Sequence, residues 1–176
     1  AAAPEYVNRS LEDSFLASLA EGGFQVGALA TCYYPDGHDL GGLGTKDALE
    51  QTAALLKQES VVIFEAAIQH GDLLVRTDII VKRGSHLELI EVKAKSFDPA
   101  KDSFFGKRGG LLSGWKPYLY DVAFQKHVLL AALPGLIIKS FLMLVDKSAL
   151  CPVDGLNQMF RIHKDAAGRS VVQASK

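Results

Sequence analysis

Residues 77–93 read TDIIVKRGSHLELIEVK. Two β-branched runs flank Arg83-Gly84-Ser85-His86, which has the length and composition of a hairpin loop, so the stretch predicts paired strands over Leu73 to Lys82 and Leu87 to Lys95. Charges are set into strands otherwise built to be buried, and a carboxylate there is unfavourable unless something cationic lies against it. Side chains alternate along a strand, so Glu91 and Lys93 share a face, and the hairpin brings Asp78 beside them. A divalent metal and a lysine would each satisfy these acids. Asp78 and Glu91 offer hard oxygen ligands for Mg²⁺ or Mn²⁺, and the carbonyl of Val92 could add another. A metal so held generates hydroxide and stabilises charge building on a phosphate, while Lys93 holds the attacking water or that charge as a point cation. An isolated Glu-Val-Lys would instead read as a cross-strand ion pair on a solvated face. The apolar context, the Asp at hairpin reach and the order of elements favour the metal site.

Outward from the hairpin, Val61 to Ile68 (VVIFEAAI) predicts a buried strand, and the helix before it is capped by Thr45 with a face of Leu49, Thr52, Ala53 and Leu56. Pro117 suits a first helical turn, and Leu119, Val122, Ala123, Leu129, Leu130 and Leu133 give that helix an apolar face until Pro134-Gly135. Leu136 to Val145 is a further strand. The order from Thr45 is helix, three strands, helix, strand: an α/β domain with a mixed central sheet flanked by helices. Ahead of it, residues 9–34 form a helical addition. Ser10 with Asp13 caps a helix carrying Leu11, Phe15 and Leu19 that Gly22-Gly23 ends; Phe24 to Tyr34 fits helix or strand; YYPDGHDLGGLG is turn and loop. An edge strand is expected around Met159 to His163, before a fraying polar tail. Ser96 to Lys116 is a long structureless connection, and such loops are usually functional. Its Phe97, Phe104, Phe105 and Trp115 suit base stacking or a local hydrophobic cluster equally.

The 176 residues, 48% hydrophobic and 22% charged, suit one globular domain, 1–176, with its core at about 45–145. No apolar run reaches the ~18–20 residues that span a bilayer, and AAAPEYVNRS lacks the regions of a signal peptide, so a cytoplasmic setting without membrane contact is expected. The chain starts without Met, as a fragment of a longer protein would. Cys32 and Cys151 lie in no CxxC pair, which leaves a disulfide framework, a zinc site and an iron–sulfur cluster without support; both read as packing residues. His70, His127 and His163 have no partner at ligand spacing and belong on the surface. Net charge is −1, yet from Lys93 to Lys139 there are eight Lys and Arg against three Asp. That excess, with Lys95, Lys107, Arg108 and Lys116, could follow a phosphate backbone. No GxxxxGK[ST] loop is present, so ATP-driven movement would need a separate domain.

With these residues assembled, the chain resembles the PD-(D/E)XK nuclease superfamily over Thr45 to about Val145. Asp78, Glu91, Val92 and Lys93 match its motif, with Thr77 where many members have proline. It is similar to the RecB-like exonuclease branch, which carries a Gln on the helix after the Lys strand and an acid or His upstream. Gln125, in YDVAFQKHVLL with Asp121 at i,i−4, stands where that Gln would be. Glu65 is the candidate upstream acid, and Glu50 on the preceding helix competes for the role. Leu129 stands where many members have Tyr four residues after the Gln, and the four cluster-binding cysteines of some relatives are missing. The resemblance implies a restriction-endonuclease-like core and a metal-dependent DNA phosphodiester hydrolase, an exonuclease by preference. Its implied partners are Mg²⁺ or Mn²⁺, single-stranded DNA or duplex ends, and a helicase or other fused domain, with no small-molecule cofactor; repair, defence and mobile-element processing are all compatible. Glu65, Asp78 and Glu91 would hold metal, Lys93 would assist the water, and Gln125 would position substrate or Lys93. The alternatives are an inactive nucleic-acid-binding module on the same fold and a structural or interaction domain.

Overall fold

Every strand expected between Val61 and Val145 forms, one to three residues longer than anticipated or shifted by one. The computed structural model describes residues 14–150, 154–166 and 170–174. Its strands β1 (His38–Asp39), β2 (Ser60–His70), β3 (Leu73–Arg83), β4 (His86–Phe97) and β5 (Ile137–Asp146) build one sheet in that spatial order. β1 and β5 pair in parallel with β2 and β4, whereas β2–β3 and β3–β4 are antiparallel, which makes the sheet mixed. Helix α2 (Thr45–Leu55) and helix α3 (Lys116–Ala132) cover one face, and α1 (Ser14–Thr31) covers the other. No helix among the described residues is long and apolar enough to cross a membrane.

The β3–β4 hairpin closes on Gly84-Ser85. Arg83 pairs with His86, and Gly84 holds φ +56° at the first central position, the requirement of a type II′ turn. Its N–H donates to Glu59 O at 2.8 Å, tying the turn to the start of β2. Under α2 and α3, Ile63, Ile80, Leu87, Leu89, Val128 and Leu129 make the larger core; under α1, Ala30 packs with Phe64, Ile79, Val81 and Ile90.

Several expectations need correction. The helix does not end at Gly22-Gly23 but continues to Thr31, so its last turns pack on the sheet, with Ala30 buried, despite the ~1 kcal/mol that each glycine costs a helix. The Ser10 and Asp13 cap and Leu11 lie outside the described residues. Gly44, not Thr45, is the N-cap of α2, and Ala53 is exposed while Ala48 and Thr52 are buried. On α3, Ala123 and Leu130 are exposed; the inward stripe is Val122, Gln125, Val128 and Leu129. YYPDGHDLGGLG contains the short strand β1. The expected tail edge strand is β6 (Phe160–Lys164), which pairs with β7 (Ser170–Ala174) in a separate ribbon, so part of the fraying tail is strand. Cys32 is exposed rather than packed, its Sγ donating to Ala28 O; Cys151 lies outside the described residues.

Nor is Ser96 to Lys116 structureless. Phe97 stacks on Phe104 with centroids 5.3 Å apart, and Trp115 meets both rings edge-on. Asp98 O accepts from the amides of Lys101 and Asp102, and Asp102 pairs with Lys147 at 2.7 Å beyond β5. Of the four aromatic residues only Phe105 is mainly exposed, so the local-cluster reading holds for the other three.

Candidate active site

Three adjacent strands each contribute one carboxylate at the same level. In the β2–β3 register Phe64 pairs with Ile79 and Ala66 with Thr77, which sets Glu65 opposite Asp78. In the β3–β4 register Ile79 with Ile90 is the last pair, and Asp78 and Glu91 stand one residue beyond it on their strands. The row forms where two strands change faces together. Phe64 and Ile79 belong to the core under α1, whereas Ala66, Ile68 and Val75 belong to the core under α2 and α3, so alternation slips by one residue at Glu65 and Asp78. The backbone cause is Glu65, whose φ of +54° makes it the one described non-glycine residue in the left-handed region. That conformation costs an L-residue about 1–2 kcal/mol and is retained only where the surroundings enforce it.

Glu91 is 3% exposed, and both its oxygens are engaged. Lys93 Nζ donates to Oε1, and Gln125 Nε2 donates to Oε2 at 2.7 Å. Lys93 Nζ also lies 3.2 Å from Asp121 Oδ2, and Gln125 Nε2 lies 3.3 Å from Asp121 Oδ1. Asp78 Oδ2 accepts from the Val92 N–H at 2.6 Å, a contact in addition to the carbonyl expected of Val92. Glu65 faces Arg76 at 3.9 Å, a loose pair half open to solvent. Gln125 is buried, and its Oε1 has no hydrogen-bond partner.

Burial pushes all three row carboxyls above their ordinary pKa. For Glu65, Arg76 offsets this in part while Asp39 and Glu91 add to it. For Asp78, the Val92 amide and Lys93 oppose the rise, and Glu65 and Asp121 reinforce it. For Glu91, the Lys93 and Gln125 hydrogen bonds oppose burial and Asp78 works with it. Lys93 goes the other way from a simple buried amine: burial disfavours its charge, but Glu91 and Asp121 together outweigh burial and its pKa is raised. Asp121 is lowered, since hydrogen bonds from Gln125 and Lys93 outweigh its partial burial.

The structure therefore brings together Glu65, Asp78, Glu91, Lys93 and Gln125. Between the competing acids it favours Glu65, because Glu50 lies on the exposed side of α2. The basic residues do not converge on this row as a set. Lys95 sits 4.8 Å over the Trp115 ring and 5.5 Å from that of Tyr118, carried there by a register shift between Lys93 and Ser96; Lys107, Arg108 and Lys116 are exposed. His70, His127 and His163 are at the surface. Two participants escaped sequence reasoning as site members. Asp121 was visible only through its spacing from Gln125, and Asp39 only through the parallel pairing of β1 with Phe64.

In comparisons with protein-family models, curated proteins and solved structures, nothing matches this chain.

Could the row hold a divalent cation? Among the described residues no three His, Cys, Asp or Glu side chains stand together as a preformed metal site. The donor chemistry nevertheless suits Mg²⁺ or Mn²⁺, which are commonly bound through one or two carboxylates plus water and substrate oxygens. Glu65 and Asp78, partly buried, and Glu91, buried, are hard-oxygen donors that raise one another's pKa, an arrangement that a cation between them would relieve.

Proposed function

We propose that this chain is a metal-dependent DNA phosphodiester hydrolase on a restriction-endonuclease-like core. The observation that carries the reading is the alignment of Glu65, Asp78 and Glu91 across three adjacent strands, with Lys93 on the face of Glu91. Asp78 and Glu91, with Glu65, would hold Mg²⁺ or Mn²⁺. Such an ion supplies Lewis acidity toward a phosphate and lowers the pKa of water.

The rest is the work of the protein's own groups. Lys93 is held charged by Glu91 and Asp121, so it acts as a donor toward a developing anion or the attacking water and does not accept the water's proton. Gln125, anchored between Glu91 and Asp121, fixes the Glu91 carboxylate and through Asp121 the direction of the Lys93 amine. The Val92 amide orients Asp78 in the same way.

A second reading, an inactive binding module on the same fold, draws support from the engagement of both Glu91 oxygens by Lys93 and Gln125. One experiment separates the two: labelled linear single-stranded and duplex DNA, with closed circles as controls, incubated with wild type, Glu91→Ala and Lys93→Ala in Mg²⁺, Mn²⁺ or EDTA. The hydrolase is expected to cut linear DNA only with metal, and Lys93→Ala to lose about 10²–10³-fold in rate while its circular dichroism and melting stay cooperative. Cleavage that survives Lys93→Ala unchanged rejects the site. No cleavage and no Mn²⁺ binding by calorimetry would leave the cluster as an ion-pair network.

A further inference from the structure

A cavity of about 420 Å³ lies between α1 and the sheet and reaches the carboxylate row, with Phe24, Gly27, Asp39, Phe64, Glu65 and Asp78 among its walls. That volume is at the lower end of the ~300–1,000 Å³ typical of ligand pockets. It is large enough for one nucleoside. The walls are apolar toward α1, where Phe24 is 41% exposed, and the largely buried Phe64 adds to the lining from β2. Opposite them stand three carboxylates, and among the described residues no lysine or arginine lines the cavity. Away from a cation held at Glu65 and Asp78, an anionic phosphate is repelled from such a space. A neutral planar group that stacks on a phenyl ring and donates N–H to the Asp39 carboxylate, the wall acid not assigned to the metal, is matched by it.

Resting on the hydrolase reading, we infer that this cavity receives one unpaired nucleobase, that of the nucleotide next to the bond cut. The substrate is then a single-stranded or frayed end. Continuity of the cavity with Glu65 and Asp78 places a base held there within one nucleotide of the row. Gly27 gives a direct way to fill the space. A Cβ at that position meets no atom within 4 Å, and a side chain in mid-helix is favoured over glycine by about 1 kcal/mol, so Gly27→Leu closes the cavity without endangering the fold.

The test uses oligonucleotides ending in adenine, in 2-aminopurine or in an abasic residue, with wild type, Gly27→Leu and Phe24→Ala. In EDTA the fluorescence of terminal 2-aminopurine is expected to be quenched by wild type and not by either variant. In Mg²⁺ wild type is expected to cut behind adenine about tenfold or more faster than behind the abasic residue, and Gly27→Leu to bring that ratio close to one. If wild type cuts both ends equally, or Gly27→Leu keeps the wild-type ratio, the cavity is not a base site although the hydrolase reading stands. Quenching without cleavage in any metal overturns the hydrolase reading and keeps the base site. Neither quenching nor cleavage overturns both.

Discussion

At Glu65 the chain holds a conformation that a glycine would adopt without strain, in the middle of a strand where glycine would otherwise be a poor choice. A carboxylate kept there against the backbone's preference implies that its position matters more than local stability. Glu65→Gly is therefore expected to melt higher than Glu65→Ala, by about 1 kcal/mol, with both losing cleavage. Equal melting of the two would mean that the left-handed backbone carries no strain. This residue also marks the limit of what could be read beforehand. Glu91 and Lys93 follow from simple alternation along one strand, and Asp78 from the register of the two-residue turn, which leaves it and Glu91 one residue beyond the Ile79–Ile90 pair. The slip at Glu65 left no trace in VIFEAAI, because apolar residues on both sides serve a strand buried on both faces, whichever way each points.

Among the elements, α3 and the segment before it depend on one aromatic cluster. Trp115 caps α3, packs edge-on against Phe97 and Phe104 and carries Lys95 over its face, so a single side chain joins the end of β4, the loop and the helix bearing Gln125. Trp115→Ala is expected to destabilise the protein by about 3 kcal/mol, seen as a lower urea midpoint, and to weaken cleavage beyond that by loosening Gln125. A midpoint shift below about 1 kcal/mol would show that the cluster only covers the surface. Pro117 and Pro134-Gly135 made the bounds of α3 legible. Its inward face was not, since the polar Gln125 occupies a buried position and periodicity counts only apolar residues. For the same reason the long loop read as irregular: its order comes from ring contacts between positions eleven and eighteen residues apart, which no local pattern records.

For the molecule as a whole, three carboxyls titrate higher in the fold than their ordinary values of 4.5 for Glu65 and Glu91 and 3.8 for Asp78. The sign follows from proton counting. Between the ordinary and the raised values the folded chain binds more protons than the unfolded one, so their contribution to stability falls as pH rises through that window and stays low above it. In EDTA, Asp78→Asn is expected to gain stability relative to wild type as pH rises from about 4 to about 7, because the amide keeps an acceptor for the Val92 N–H and has no charge to develop. Thermal melts of the pair across that range decide it, and a stability difference that shrinks with pH would reverse the assignment. Chain connectivity has a temporal consequence as well. β2, β3 and β4 follow one another with two-residue turns, whereas β5 reaches β4 only across the loop and α3. Short closures form first, so during synthesis the acid row can assemble once Phe97 has emerged, before the ribosome has released the helix bearing Asp121 and Gln125. Pulse-labelled amide exchange on refolding should then protect Ile79, Ile80 and Ile90 ahead of Ile138 and Leu142, and simultaneous protection would make the sheet a single kinetic unit. A nascent chain would thus gather its negative charges early and wait for the later helix to tether the lysine between them.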